Sequence, residues 1–487
     1  MMQSSTMLLI LLGVPLAAAF LLALFGDRKG AAELNIGASA ATCAAGFGLA
    51  TEVYVQGSML AGGDFFFVDA FNVYLAVLTA FVSMTTAIFS RKYMQREREH
   101  GRVGHIRMRF YHAMFQLFMF AMLLCLLTNN IGVLWIAMEL ATLSTVLLVS
   151  LYRTPTAIEA AWKYFILCGV GIAQALFGTV LLYFAAERVL GEGGDALLWT
   201  NLYRVSGSLE PTVLSLAFVF LMVGYGTKVG LVPLHNWLPD AHSEGPTPIS
   251  AVLSGLLLNI ALYALVRCKV LVDGSTHTHR AGDIMMGFGI LSIFVAAFSI
   301  LRQKDIKRMF SYSSIEHMGI VTFAFGLGGP IATFGGLLRM LVHSLAKSAI
   351  FFTAGHASQM HWSQEMDKIR GLFKGNPLVG WGLMLGAFAI VGMPPFGIFC
   401  SEFLILTATM KQAPLMTPFL LLGLGVAFAG ILRRVQSMVC GEVPAHQQPM
   451  KVAHVPVLLH MALVLLLGFY IPDMLHEWFR TTVELLK

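Results

Sequence analysis

A few ionisable side chains sit inside stretches that are otherwise apolar. Lys228 is the one charge in residues 212–234, within "VFLMVGYGTKVGLVPLHNWL". Glu139 is the sole carboxylate in "NNIGVLWIAMELATLSTVLLVSLY", and Glu402 the sole charge in "LMLGAFAIVGMPPFGIFCSEFLILTAT". Arg339, His343 and Lys347 recur every four residues in "GGLLRMLVHSLAKSAIFFTAGH", which sets them in one stripe along a helix face. Lys163, Glu316 and His317 lie early in their own runs. A charge at bilayer depth costs about 2.5–3.5 kcal/mol on insertion scales, so each of these needs compensation.

Proton transfer is the chemistry these residue types suit. Desolvation weakens the hold of a buried lysine on its proton, and a nearby carboxylate restores it. Moving the carboxylate, or water between the two, therefore switches the lysine between keeping and releasing a proton. Lysine, glutamate and histidine linked by water make a relay. Uptake of a bulky solute would call for a larger and more varied polar pocket. Blander readings stand beside this one. Lys228, Glu139 and Glu402 could each belong to a structural ion pair inside the bundle. Lys163, Glu316 and His317 could reach an interface by snorkelling. Arg339 reads equally well as a structural residue and as part of the pathway.

The elements that must position these groups are membrane helices. The chain has 487 residues, 57% hydrophobic and 12% charged, with a mean hydropathy of +0.75. Soluble domains carry about 25% charge. About 20 apolar residues cross a bilayer as a helix, and such runs lie near 7–26, 33–55, 66–90, 111–128, 130–152, 160–186, 212–234, 248–270, 283–301, 309–328, 331–355, 378–408, 416–434 and 453–472. The expected fold is all-α and polytopic, with about fourteen spans in one transmembrane domain. The runs are continuous rather than alternating, which argues against a barrel.

Proline interrupts two of the runs, at Pro233 in "KVGLVPLHNW" and at Pro394 and Pro395 in "IVGMPPFGIF". A broken helix frees backbone groups that need cavity water or neighbours, so the breaks mark pathways rather than lipid-facing walls. Each break lies close to one buried charge, Lys228 or Glu402, and the two are about five helices apart. That spacing suggests two repeats, helices four to eight (111–270) and nine to thirteen (271–435). They follow three N-terminal helices (1–110) and precede a last helix (436–487). An odd number of helices per repeat makes successive repeats inverted.

Charge sorting gives the orientation. The net charge is +6, from 32 basic and 26 acidic residues. Arg28, Lys29, "RKYMQREREHGRVGHIRMR", Arg153, "RQKDIKR", "DKIRGLFK", Arg433, Arg434 and Lys451 fall on one side. Arg188, Arg204, Arg267, Lys269, Arg280, Lys411, Arg480 and Lys487 fall on the other. The positive-inside rule makes the first side cytoplasmic and both termini external. The basic balance reflects topology, with no case for nucleic acid. The opening "MMQSST" lacks the positive n-region of a cleaved signal and reads as a first helix entering from outside. Six scattered cysteines, with no CxxC pair, exclude an iron–sulfur or zinc motif, so no metal or cofactor is expected in this chain.

"GTKVGLVPLHNWLPDAHSEGPTPISAVLSG" resembles the signature of the antiporter-like, proton-translocating subunits of respiratory complex I. The same family includes membrane-bound [NiFe] hydrogenases and Mrp-type sodium/proton antiporters. "WIAMELATLS", "DIKRMFSYSSIEHMGI", "HSLAKSAIFFTAGH", "EMDKIRGLFKGNP" and "GMPPFGIFCSEFLIL" extend the likeness over roughly residues 110–410. Within it, "SSIEHMGI" with "GMPPFGIFCSEFLIL" is most similar to component F of hydrogenase-4 and its formate-hydrogenlyase relatives. The resemblance implies fourteen helices in two inverted five-helix repeats, in a bacterial cytoplasmic membrane. It makes Glu139 and Lys228 the pair of the first half-channel. Lys347 and His343 continue a hydrated polar axis, and Glu402 ends the second half-channel. It places the redox chemistry in partner subunits, with iron–sulfur clusters and a NiFe site in a peripheral arm. The chain departs from the family in its eighth helix, where relatives carry a lysine or histidine. Here only Ser254 and Asn259 stand among neutral residues, and neither holds a proton as a charge at neutral pH.

Two other function classes remain open on sequence. A stand-alone or Mrp-type cation/proton antiporter predicts sodium-dependent transport without a redox partner. A structural membrane anchor predicts that Lys228, Glu139 and Glu402 are lipid-facing or tightly ion-paired.

Overall fold

The computed structural model describes residues 2–276, 278–444 and 452–486; Lys451 and Lys487 lie outside them. Helix α1 (Met2–Phe25), α2 (Ala31–Gln56), α3 (Ala70–Glu99), α4 (His105–Leu127), α5 (Ile131–Val149) and α6 (Pro155–Leu190) run in succession. A short α7 (Trp199–Val205) leads to α8 (Pro211–Val229), and α9 (Trp237–Glu244) follows the first break. Next come α10 (Thr247–Val252), α11 (Leu258–Thr276), α12 (Arg280–Ile300), α13 (Ile306–Leu327) and α14 (Gly329–His361). The last elements are α15 (Leu372–Gly375), α16 (Pro377–Ile390), α17 (Gly397–Gln412), α18 (Thr417–Val439), α19 (His454–Phe469) and α20 (Asp473–Leu485). The all-α expectation needs one correction, a three-residue hairpin pairing Met59–Ala61 with Phe66–Val68.

Local chemistry places the helix ends. Asp69 caps α3 by accepting the Phe71 and Asn72 N–H groups, and the Asn72 side chain accepts from the Asp69 N–H in return. Asn130 caps α5 in the same way from one side. Thr154, Glu210 and Asn376 cap α6, α8 and α16, each followed by a proline at the first helical position, where its missing N–H costs nothing.

Eleven of the described helices are long and apolar enough to cross a membrane, or twelve if the bent pair α19–α20 counts as one. About fourteen were expected, and the difference has a physical cause. Residues 309–328 do form α13, but Glu316, His317 and several serines make it too polar to qualify. The run 378–408 is two pieces, α16 and α17, each shorter than a span. The run 453–472 ends where α19 turns by 78° into the amphipathic α20.

The stretch Thr247–Thr276 and α14 are the most enclosed spans. The first contains a π-helical turn at Leu253–Leu257, which the sequence did not announce. Such turns are rare and frequent at functional sites. Around these two, helices meet backbone to backbone. A Cβ at Gly224 of α8 would stand 2.6 Å from the Ala175 Cβ and 2.7 Å from the Gly171 carbonyl oxygen of α6. This is small-residue packing of the kind that joins helices in lipid. Gly224→Val is expected to push α6 and α8 apart and cost about 1–3 kcal/mol, read as a lower melting temperature of the purified protein; an unchanged melt would refute the close approach.

Candidate functional site

Lys228 lies in the last turn of α8, fully buried, one residue before the helix stops. The chain then passes through Gly230, at φ +83°, and Pro233 before α9 begins. The Lys228 ammonium donates to the Thr142 hydroxyl of α5 and sits 5.1 Å from the Tyr164 ring centroid of α6. Tyr164 is itself fixed by a 2.7 Å hydrogen bond to Thr145 and by stacking on Trp237 at 4.5 Å. Glu139 lies one turn from Thr142 on α5, half-buried and in the electrostatic field of Lys228. Its Oε2 is buried without a partner. Lys228 is therefore held by a hydroxyl, which gives its own proton to the Met138 carbonyl at 3.0 Å, and is not clasped by Glu139 as an ion pair.

The second set is built on α14. Arg339, His343 and Lys347 are all fully buried, and they face α13, the π turn and the break before α17. Arg339 donates to Glu402 Oε1 at 2.7 Å and to His317 Nδ1 at 2.6 Å. Because a guanidinium only donates, Nδ1 is the acceptor and the His317 proton is on Nε2. The His317 and His343 ring centroids are 5.1 Å apart. His343 Nε2 donates to the Ser254 carbonyl at 3.3 Å, which leaves its Nδ1 as an acceptor. His317 Nε2 and His343 Nδ1 are both buried without a protein partner. One ring thus offers a free donor and its neighbour a free acceptor. Lys347 donates to the Phe310 carbonyl at 3.0 Å and feels the charge of Glu316.

Glu402 stands against the second break because Gly392 lets it. At φ +70°, a Cβ on Gly392 would fall 1.9 Å from Glu402 Oε2. Pro394 and Pro395 follow in the gap between α16 and α17. Both breaks therefore place one charged side chain beside a positive-φ glycine and proline.

The neutral residues of the eighth run are also in the set. Ser254 lies in the π turn and bonds Ser314 of α13 at 2.7 Å. Asn259 donates to Ser344 of α14 at 2.8 Å and to the Met340 carbonyl at 3.1 Å. His343 of α14 reaches this turn at the Ser254 carbonyl.

Snorkelling fails for Glu316 and His317, which are 3% and 0% exposed. Lys163 is part-exposed at the bundle end and binds Asp240 of α9, which also holds Arg308 of α13. Arg339 has a structural partner in Glu402, as the anchor reading expects of Glu402; Lys228, fully buried and without a carboxylate partner, does not fit that expectation. Sequence reading passed over Thr142, Tyr164, Asp240, Arg308 and His242. Asp240 and His242 were visible as "PDAH", but only packing reveals their neighbours. His242 is fully buried, stacks on Phe351 at 5.1 Å, and lies in the fields of Lys307 and Lys347 with both ring nitrogens unpartnered. Asp305 caps α13 from the loop before it; burial pushes its carboxyl above the usual range, and the Arg308 N–H draws it back. Among the described residues no three His, Cys, Asp or Glu side chains cluster as a metal site.

With this geometry in view, the sequence relationships are informative. The profile described as NADH:quinone oxidoreductase/Mrp antiporter, TM, matches residues 128–428, which hold every group of both sets. A hydrogenase-4 component F homolog of Methylacidiphilum infernorum is 48% identical over 425 residues, covering 87% of this chain and 89% of that protein. The NADH-quinone oxidoreductase subunit M of Pseudomonas aeruginosa is 33% identical over 279 residues, 57% of this chain and 53% of the relative. In fold, the chain is similar to a chain of the membrane-bound sulfane sulfur reductase, an archaeal respiratory membrane complex, with a TM-score of 0.88 at 24% identity over 98% of this chain and 96% of that one. It is also similar to a chain of the Mrp complex of Dietzia sp., with a TM-score of 0.86 at 19% identity over 100% and 98%. The chain belongs to the NADH:quinone oxidoreductase/Mrp antiporter transmembrane family.

Proposed function

We propose that this chain is the proton-translocating membrane subunit of a multi-subunit redox complex of the hydrogenase-4 and complex I type. The observation that carries the reading is the pair of polar sets inside the bundle, buried except for the half-buried Glu139, each beside a broken helix. In the first, Lys228 donates to Thr142, one turn from the unpartnered Glu139 Oε2; in the second, Arg339 clamps Glu402 and His317 Nδ1, and the His317 and His343 rings stand 5.1 Å apart with His343 on the Ser254 carbonyl. Lys347, Glu316 and Asn259 flank the second set. Buried polar atoms are satisfied by protein or by ordered water, so the unpartnered atoms of Glu139, His317, His343 and His242 mark where water completes the relay. Lys163, Asp240 and Arg308 lie at the mouth. Redox centres, iron–sulfur clusters and a NiFe site among them, belong to partner subunits in this reading, and the chain moves protons in response.

In this reading α13, the broken α16–α17 pair and α19 join the eleven apolar spans to give fourteen. Residues 111–270 and 271–435 form inverted repeats, between 1–110 and 436–487. The membrane is the bacterial cytoplasmic one, with both termini outside.

The test is the complex purified gently with its partners, reconstituted in vesicles and supplied with an electron donor while a pH dye reports the lumen. Glu139→Gln is expected to leave assembly intact and reduce proton movement by more than an order of magnitude. Equal rates for the variant and the parent would remove Glu139 from the pathway, and a strict sodium requirement would redirect the assignment to the Mrp-type reading.

A further inference from the structure

The bend between α19 and α20 builds a recess that the polar sets do not use. Because α20 leaves α19 at 78°, it lies across the end of the bundle where α2 stops and α3 starts. It is amphipathic, with Trp478, Phe479, Thr482 and Val483 buried and Asp473, Glu477 and Arg480 exposed. Contacts with α3 help to fasten it. The Trp478 indole donates to the Ala70 carbonyl at 2.7 Å, and Phe479 meets Tyr74 edge-on at 5.1 Å.

Between α2, α3, α14, α19 and α20 this leaves a cleft of about 450 Å³, within the size range of ligand sites. Its wall includes Phe47, Val77, Phe81, Leu345 and Leu466. Phe47 and Leu466 are also exposed on the outer face of the bundle, so the cleft opens where acyl chains lie. Across Trp478 it adjoins a second recess of about 430 Å³ that is more polar than the first, with Tyr54, Ser58, Glu477 and Thr481 in its wall beside Val53, Ala70 and Leu485. The Tyr54 hydroxyl donates to Glu477 Oε2 at 3.2 Å, and the Tyr54 and Trp478 rings stack at 6.3 Å.

We propose that the two recesses together hold one phospholipid with a primary-ammonium headgroup, phosphatidylethanolamine. An acyl chain fills the apolar cleft, and the ammonium sits on the Glu477 carboxylate. Charge complementarity makes the choice of headgroup. The carboxylate and the Ser58 and Thr481 hydroxyls offer acceptors, which a primary ammonium meets with three N–H donors. A glycerol headgroup carries the same phosphate but no ammonium to meet the Glu477 carboxylate. Aromatic side chains flanking the carboxylate favour a cation further. Trp478 and Tyr54 thus occupy the level where an aromatic belt meets the headgroups.

The experiment uses the whole complex, extracted in mild detergent from membranes containing phosphatidylethanolamine and phosphatidylglycerol, with retained lipid measured by mass spectrometry. The parent is expected to retain phosphatidylethanolamine in preference to phosphatidylglycerol. Glu477→Gln, an exposed position, is expected to lower that preference several-fold, and Ala50→Phe to reduce both lipids by filling the cleft. Should Ala50→Phe fail to assemble, Glu477→Gln decides alone. Equal retention of the two lipids by parent and Glu477→Gln overturns the proposal. So does a cleft that retains a quinone, or one emptied of lipid by a neighbouring subunit.

Discussion

Lys228→Ala is expected to abolish proton translocation by the assembled complex, and Lys228→Arg to fail with it. The side chain is fully buried at the end of α8, and its ammonium is held by a hydroxyl rather than by a carboxylate. Alanine removes a charge whose burial is itself costly, so assembly should survive although the space left behind takes a small toll. Arginine tests the mechanism more sharply. It keeps a positive charge beside Thr142 and Tyr164, but a guanidinium does not release its proton in proteins. A lysine serving only to fix α5 against α8 would tolerate arginine to a useful degree, whereas a proton carrier would not. Dye-monitored proton movement in vesicles, normalised to assembled complex, separates the two. Transport by Lys228→Arg close to that of the parent would sink the relay role of Lys228.

The second large effect concerns Arg339. It binds Glu402 at 2.7 Å and His317 at 2.6 Å from the N-terminal half of α14. Arg339→Met keeps much of the aliphatic bulk and strands the Glu402 carboxylate, which is 8% exposed. Removing one partner of a buried pair costs about 3–5 kcal/mol, so thermal stability and yield of the complex should fall sharply. Glu402→Gln in the same chain removes the stranded charge and should recover most of the loss. The double variant also splits the two readings of Glu402. If the carboxylate carries protons, assembly returns and transport does not. If the pair is an anchor, both return. A single Arg339→Met variant as stable as the parent would show that the ion pair is not formed in the membrane.

Much of the candidate site was legible as isolated letters. Lys228, Glu139, Glu402 and the four-residue spacing of Arg339, His343 and Lys347 stand out because apolar surroundings make any charge conspicuous. The breaks were legible for a related reason, since Pro233 and the pair Pro394–Pro395 cannot continue a helix that must bond its own backbone. What was not legible is partnership. Arg339 and Glu402 are distant in sequence and meet across α14 and α17. Asp240 lies in a loop-flanked short helix, where nothing local says that it holds Lys163 and Arg308 together. The π turn at Leu253–Leu257 was hidden as well, because its residues are as apolar as those of an ordinary helix.

The sequence by itself determined that the chain is a bundle of membrane helices, that a few charges fall within its apolar runs, and where two helices must break. These follow from composition and from covalent chemistry acting over a few residues. Only the tertiary structure decided that Lys228 meets Thr142 one turn from Glu139, that Glu402 is clasped by Arg339, and that His343 reaches the neutral π turn through the Ser254 carbonyl. Such pairings depend on how helices rotate and approach, and that is settled by small residues and shape across the whole bundle rather than by any one segment.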